Sequence, residues 1–179
     1  SHIPSHITEL NLEGYRSYPS AIFARLPNLV SLRLSNATEI PPDWANTLST
    51  ALQRLDVTTN PSAIDTDILE SLSRLTNLRT ILLVGLVNPV TNTSLASLPR
   101  RVSRIHLIGE ASEYDHQGFN ALPAGLTHAR LPASENFNDH LIDFSHFPYL
   151  SALYLGFELC DTVELSGRHQ QKALRDKYS

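Results

Sequence analysis

The sequence of 179 residues contains one cysteine, Cys160, no methionine and only two lysines, Lys172 and Lys177. A single cysteine excludes a disulfide framework within the chain. No apolar run approaches the ~18–20 residues that span a bilayer, and no charged segment followed by an apolar stretch opens the sequence. We therefore expect a soluble protein, and one in which arginine carries almost all of the positive charge.

Charge is unevenly distributed along the chain. Before Gly167 there are 10 basic and 17 acidic residues, whereas from Gly167 onward there are 4 basic and 1 acidic. An acidic body with a basic tail differs from the broad basic face that is typical of nucleic-acid binding. We expect neither a nucleic-acid nor a membrane partner, and the length fits one globular domain.

Leucine, which occurs 29 times, follows an internal repeat of the form L-x-x-L-x-L. The seven copies begin 22–26 residues apart, at Ile7, Leu29, Leu52, Leu78, Val102, Leu126 and Leu150. An apolar residue followed by proline precedes five of these copies, at Ile3-Pro4, Leu26-Pro27, Leu98-Pro99, Leu122-Pro123 and Phe147-Pro148. Because two patterns share one period, each copy is interpreted as one structural repeat. The segment 64–75 between two copies has helical spacing, with Asp65 or Thr66 as its N-cap, and Phe23, Phe119 and Phe144 are expected to fill the core beneath such segments.

This pattern resembles the leucine-rich repeat family over residues 3–159. The resemblance implies an α/β fold, a right-handed solenoid of about seven repeats with a parallel sheet on its concave side and helical or irregular segments on its convex side. Neighbouring parallel strands lie ~4.8 Å apart, whereas helical segments on the other side of the stack need ~8–10 Å. Because the two sides differ in spacing, the stack must curve with the strands on its inner side. The predicted strands lie near 7–12, 29–34, 52–57, 78–83, 102–107, 126–131 and 150–155.

The sequence departs from the family pattern after each strand, where asparagine usually forms a ladder. Only Asn60 occupies that position, so the backbone groups of the turns must find other partners. We expect the repeat domain to cover 1–165, with 166–179 forming a polar helix that caps the last repeat. Ile3-Pro4 resembles the end of a preceding repeat, which indicates either an excised fragment or a short arm before an N-terminal cap.

Side chains alternate along a strand, so the positions between the core leucines should face the concave surface. Strands five and six then place Arg104 beside His128 and His106 beside Arg130. Apolar and aromatic side chains adjoin this cluster, and two arginines precede it on the earlier strands. The candidate partner-binding residues are Arg33, Arg54, Leu82, Val84, Arg104, His106, Ile108, His128, Arg130 and Tyr154. Arginine, aromatic and aliphatic anchors of this kind form interface hot spots, which suggests a protein partner with an acidic segment; the alternative is a solvated sheet with arginine stems covering apolar neighbours.

Metal, cofactor and catalytic signals are weak. Asp139, His140, Asp143 and His146 have spacing that could suit one ion, but the interleaved apolar residues favour a solvent-facing role, and we expect no metal site. The sequence contains no phosphate-binding loop and no zinc-protease or nucleophile-elbow motif. Cys160 lies between carboxylates that would raise a thiol pKa. We expect a protein that is not an enzyme and binds no cofactor.

Two functions are the main candidates, and purely structural packing within an assembly is left open as a third. The first is a recognition module that binds a protein through the concave face. The second is a substrate-recognition or regulatory arm of a larger protein, of ubiquitin-ligase or secreted-effector type, whose catalytic part lies outside this chain. Asn36 and Asn92 match the glycosylation sequon, whereas the absence of cysteine-rich caps favours a cytoplasmic protein.

Overall fold

The repeats form one sheet whose strands follow chain order. The computed structural model describes residues 3–14, 20–37, 40, 43–59, 64–109, 112–138, 141–156 and 163–164. The strands are β1 (Glu9–Glu13), β2 (Ser31–Ala37), β3 (Arg54–Thr59), β4 (Thr80–Leu86), β5 (Arg104–Gly109), β6 (His128–Leu131), β7 (Ala152–Leu155) and β8 (Val163–Glu164). Strands β1 to β7 pair in parallel in this order. β8 adds antiparallel to β7, a pairing that the repeat pattern did not predict.

Short helices alternate with the strands. The α-helices are α1 (Ser20–Ala24), α2 (Ile68–Leu72), α3 (Asn92–Ala96) and α4 (His116–Asn120), and 3₁₀ helices cover Trp44–Thr47 and Phe144–His146. The fold is therefore α/β with a seven-stranded parallel sheet, as predicted. Helix α2 begins later than expected, with Asp67 as its N-cap, because the Asp65 carboxylate accepts a hydrogen bond from the Asp67 N–H (3.1 Å) and holds a turn before the helix. The predicted helix at 166–179 lies outside the described residues.

Each strand of β1–β7 begins two residues later than predicted, because the first apolar residue of every repeat closes a turn. The N–H of Leu29 donates to the carbonyl of Leu26 (3.2 Å), that of Val102 to Pro99 (3.0 Å), and equivalent bonds precede the other five strands. Proline suits such turns because its φ angle is already fixed and it needs no N–H partner. The periodic prolines thus mark the turn that starts each strand.

Residues with positive φ mark where the chain leaves the sheet. Asn36 (φ 57°) and Gly85 (φ 102°) occupy equivalent positions, and the pairing register shifts there, between Ser35 and Ala37 in β2 and between Val84 and Leu86 in β4. Such bulges turn a strand out of the sheet and favour glycine or asparagine in the left-handed conformation.

The apolar positions of the repeats fill one core between the sheet and the helices. Leu34, Leu55, Leu83 and Leu107 have no exposed surface, and at about 25 cal/mol per Å² the burial of such side chains is the main stabilising contribution. Phe23 and Phe119 are buried as predicted, whereas Phe144 is only partly buried. β1 contributes less, since Leu10 and Leu12 are partly buried.

Side-chain hydrogen bonds join neighbouring repeats in the connections between strands. Asn92 donates to the Asp115 carboxylate (2.9 Å) and accepts from the Asp115 N–H (2.9 Å). Asn88 donates to Asp65 (2.9 Å) one repeat earlier, and the Thr59 hydroxyl donates to the carbonyl of Val84 (3.2 Å). The side chain of Asn92 therefore has a structural role, and a glycan on its amide nitrogen would disrupt the hydrogen bond to Asp115. Asn60 lies outside the described residues.

Candidate partner-binding face

Three rows of side chains cross the sheet on the face opposite the helices. The register places Glu9, Ser31, Arg54, Thr80, Arg104, His128 and Ala152 in the first row. The second row contains Asn11, Arg33, Asp56, Leu82, His106, Arg130 and Tyr154. The third begins with Glu13, Ser35, Thr58, Val84 and Ile108. The expected neighbours Arg104 with His128 and His106 with Arg130 are confirmed as in-register pairs.

The half of this face on β4–β7 combines cations with apolar side chains. Arg104 is exposed, Arg130 and Tyr154 are partly exposed neighbours, and Val84 lies beside a partly exposed Ile108. Among the described residues, the ion pairs do not involve Arg104 or Arg130. Two guanidinium groups are therefore available to an acceptor beside an apolar surface.

The half on β1–β3 is polar and internally paired. Asp56 is buried (4% exposed) although it lies on the outward face. Its Oδ2 is 3.5 Å from Nε of Arg33 and 3.6 Å from Nη2 of Arg54, and both arginine side chains are 57% exposed. The carboxylate thus holds two of the predicted partner-binding residues in a structural cluster, and a contact between them and a partner remains a prediction.

His106 occupies a partly buried position in the middle of the second row. Its Nε2 is buried without a hydrogen-bond partner. Burial lowers the pKa of His106 below 6.5, the nearby Arg130 cation lowers it further, and the Asp56 carboxylate acts in the opposite direction. At neutral pH this imidazole is therefore uncharged, and on β4–β7 the positive charge of the second row lies on Arg130.

We expect His106 to make the fold less stable in acid. Below about pH 6.5 the imidazole is protonated in the unfolded chain but still neutral in the folded chain. Protonation therefore favours unfolding, and stability falls as the pH drops from 6.5 toward the lowered pKa of the folded state. His106→Gln should reduce the loss of unfolding free energy between about pH 7.5 and about pH 5.5, as measured by urea denaturation. An unchanged pH dependence in the variant would contradict this assignment.

The residues considered for a metal ion have other roles where they are described. The Asp143 carboxylate accepts hydrogen bonds from the N–H (3.0 Å) and the hydroxyl of Ser145. The His146 ring packs edge-on against Phe147, with Nε2 3.2 Å from the carbonyl oxygen of Leu122. Asp139, His140 and Cys160 lie outside the described residues. Within the described part of the chain, no three His, Cys, Asp or Glu side chains are grouped to hold an ion.

Comparison with known proteins gives no family assignment: the chain matches no protein-family model and no curated protein. None of the helices in the described ranges has the length and apolar character needed to cross a membrane.

Proposed function

We propose that this chain is a leucine-rich repeat solenoid that binds a protein partner through the outward face of its sheet, without a chemical step. The observation that carries the proposal is the pairing of unneutralised cations with apolar side chains on β4–β7. Arg104 and Arg130 lie on adjacent strands, and Leu82, the in-register neighbour of His106, lies on the strand that precedes them.

The repeat assignment is supported by the local structure of every unit. All seven strands β1–β7 follow a turn closed by the first apolar residue of the repeat, the strands pair in parallel in chain order, and a short helix or 3₁₀ turn lies in each of the six connections between them. Such units bury their apolar face only against neighbours. A regular array of this kind leaves the outward positions of the strands unconstrained by the core, and these positions can vary with the partner.

The composition of the outward positions supports a protein ligand. A sheet face that only meets water gains nothing from Leu82, Val84 and Ile108, and partly exposed aliphatic groups beside arginine and tyrosine are typical of hot spots. A carboxylate of the partner could accept bidentate hydrogen bonds from a guanidinium fork. The apolar positions would then exclude water around those bonds.

We expect Arg104→Gln with Arg130→Gln to weaken the partner at least about tenfold, because each lost hydrogen bond to a charged group contributes about 1.5–3 kcal/mol. The unaltered protein would first be used as bait to isolate partners from an extract of cells that produce this chain. The affinity of the purified partner for each variant would then be measured by calorimetry.

The matched control is Asn46→Glu with Thr93→Glu, which changes the net charge by the same amount at exposed positions on the helical side. Control and unaltered protein should bind equally well. Equal binding by the Arg104→Gln, Arg130→Gln variant would refute the proposal.

A further inference from the structure

Charge is segregated between the two edges of the sheet. The segments that precede β2–β7 and enter them cover 25–31, 49–54, 73–80, 97–104, 121–128 and 145–152, and none of these segments contains Asp or Glu. They do contain Arg25, Arg54, Arg74, Arg79, Arg100, Arg101 and Arg104. Exposed carboxylates lie at or beyond the opposite ends of the strands, at Glu13, Asp43, Asp65, Asp67, Glu113 and Glu135. Glu9 begins β1 and Glu164 pairs with Ala152 at the start of β7, so the amino-terminal edge is cationic from β2 to β5, and the carboxyl-terminal edge is acidic.

Two of these arginines have structural roles. Nη2 of Arg74 donates to the carbonyls of Ala45 (2.6 Å) and Leu48 (2.8 Å), which caps the end of a 3₁₀ turn. Arg54 pairs with Asp56. Because both side chains are used in contacts within the fold, neither is assigned to a ligand site.

Four arginines lie at this edge where the chain enters β4 and β5, on adjacent repeats. Arg100 and Arg101 form the tip of the turn in which the Val102 N–H donates to the Pro99 carbonyl (3.0 Å). The Arg79 carbonyl accepts from the N–H groups of Ser103 (2.9 Å) and Arg104 (3.0 Å). We refer to Arg79, Arg100, Arg101 and Arg104 as the rim cluster.

The rim cluster has no internal counterion. All four side chains are exposed, and among the described residues none of them pairs with a carboxylate. Nη1 of Arg101 donates a hydrogen bond to Oδ1 of Asn77 (3.4 Å), which is uncharged. Four like charges on adjacent repeats repel one another, so an anion that neutralises them would be bound favourably.

We propose that the rim cluster docks a short acidic peptide segment of the partner, an inference that rests on the proposed function and extends it. Arg104 belongs both to the rim cluster and to the first row of the face. Val84 and Ile108 lie in the third row, about 13 Å further along the strands at about 3.3 Å per residue. The partner segment thus places its carboxylates at the amino-terminal edge and its apolar side chains toward the carboxyl ends of β4 and β5.

Charge and composition favour a peptide over other anions. Single-stranded nucleic acid is usually held by aromatic stacking as well as cations, and the turn tips beside the cluster, Thr76-Asn77 and Ala124-Gly125, offer no aromatic ring. The acidic carboxyl-terminal edge and the net charge of −4 would repel a long polyanion. A segment with a few carboxylates meets the cluster without reaching the acidic edge.

The direct test measures fluorescein-labelled hexaglutamate binding by anisotropy. Arg79→Gln, Arg100→Gln and Arg101→Gln together should weaken binding at least about fivefold at roughly 0.05 M salt, where the Debye length is long enough for all three charges to act. The control Asn46→Glu, Thr93→Glu and Gln117→Glu carries the same net charge at exposed helical-side positions, and should bind like the unaltered protein. Equal weakening in both triple variants would show that only net charge matters and would overturn the proposal.

Two further measurements exclude other occupants. Tighter binding of a short oligothymidylate than of hexaglutamate would assign the rim cluster to nucleic acid instead. Sedimentation showing self-association that the rim substitutions abolish would assign it to the acidic edge of a second copy. The proposed function is tested separately. If hexaglutamate does not bind but the partner still requires Arg104 and Arg130, only the proposal for the rim cluster is refuted. If the rim substitutions weaken hexaglutamate binding but the partner does not require Arg104 and Arg130, only the proposed function of the face is refuted.

Discussion

Replacing Phe119 with alanine is expected to lower the free energy of unfolding by about 3–5 kcal/mol, the usual cost of removing a buried phenylalanine. Phe119 is 1% exposed in α4. Its ring contacts Phe137 at 5.6 Å and Phe147 at 5.2 Å between centroids, both edge-on. The substitution therefore removes apolar burial together with two favourable aromatic contacts. Urea denaturation followed by circular dichroism measures the change.

The position of Phe119 in the repeat array explains why this effect should exceed that of its neighbour Phe137. Phe137 precedes Phe147 in the following repeat, so a cavity at Phe119 separates consecutive units that stabilise one another mainly through their interface. Phe137→Ala is the control, because Phe137 is only partly buried and should cost less. A smaller loss for Phe119→Ala than for Phe137→Ala would contradict this view of the core.

The arrangement of the sheet could be predicted because it depends on a strict period. Leucines recurring every 22–26 residues fix the order of the strands, and alternation along a strand then determines which side chains face outward. For this reason the neighbours Arg104 and His128 were predictable from the sequence. A one-residue slip in register would have exposed buried leucines such as Leu83 and Leu107.

Strand starts and convex contacts were less predictable, because they depend on hydrogen bonds that leave no apolar pattern. Leu29 fits the repeat as well as Leu32 does, but its N–H closes a turn, so the strand starts at Ser31. The sequon at Asn92 likewise gives no indication that its amide is bonded to Asp115 across a repeat. Both features become visible only when backbone donors are matched with acceptors.

The candidate face illustrates the same limit for charged side chains. From sequence, Arg33, Arg54, Arg104 and Arg130 are equivalent outward arginines. In the structure Asp56 pairs with the first two and offsets one of their two positive charges, because long flexible side chains can converge on a carboxylate from the same strand or the adjacent one. Among the described residues, the outward arginines without a carboxylate partner therefore lie on β5 and β6 and at the amino-terminal edge beside them.

Arg33→Gln combined with Arg54→Gln should destabilise the fold by about 2 kcal/mol, whereas Asp56→Asn should cost less than about 1 kcal/mol. The asymmetry follows from burial. Removing the arginines leaves a carboxylate that is 4% exposed without its counterions, while removing the carboxylate leaves two guanidinium groups that water already solvates. The loss should be below the 3–5 kcal/mol typical of fully buried pairs, because both arginines are 57% exposed and solvent screens them.

The stability of the triple variant Arg33→Gln, Arg54→Gln, Asp56→Asn tests whether Asp56 and the two arginines depend on one another. Adding Asp56→Asn to the double arginine variant should restore most of the lost unfolding free energy, because the uncompensated charge is then gone. A double-mutant cycle from urea denaturation would quantify this coupling. If the triple variant is as unstable as the double variant, the arginines stabilise the sheet through their aliphatic stems and Asp56 does not organise them. Recovery would instead establish that Asp56 holds both arginines in contacts within the sheet, which is why ligand binding is expected on the other half.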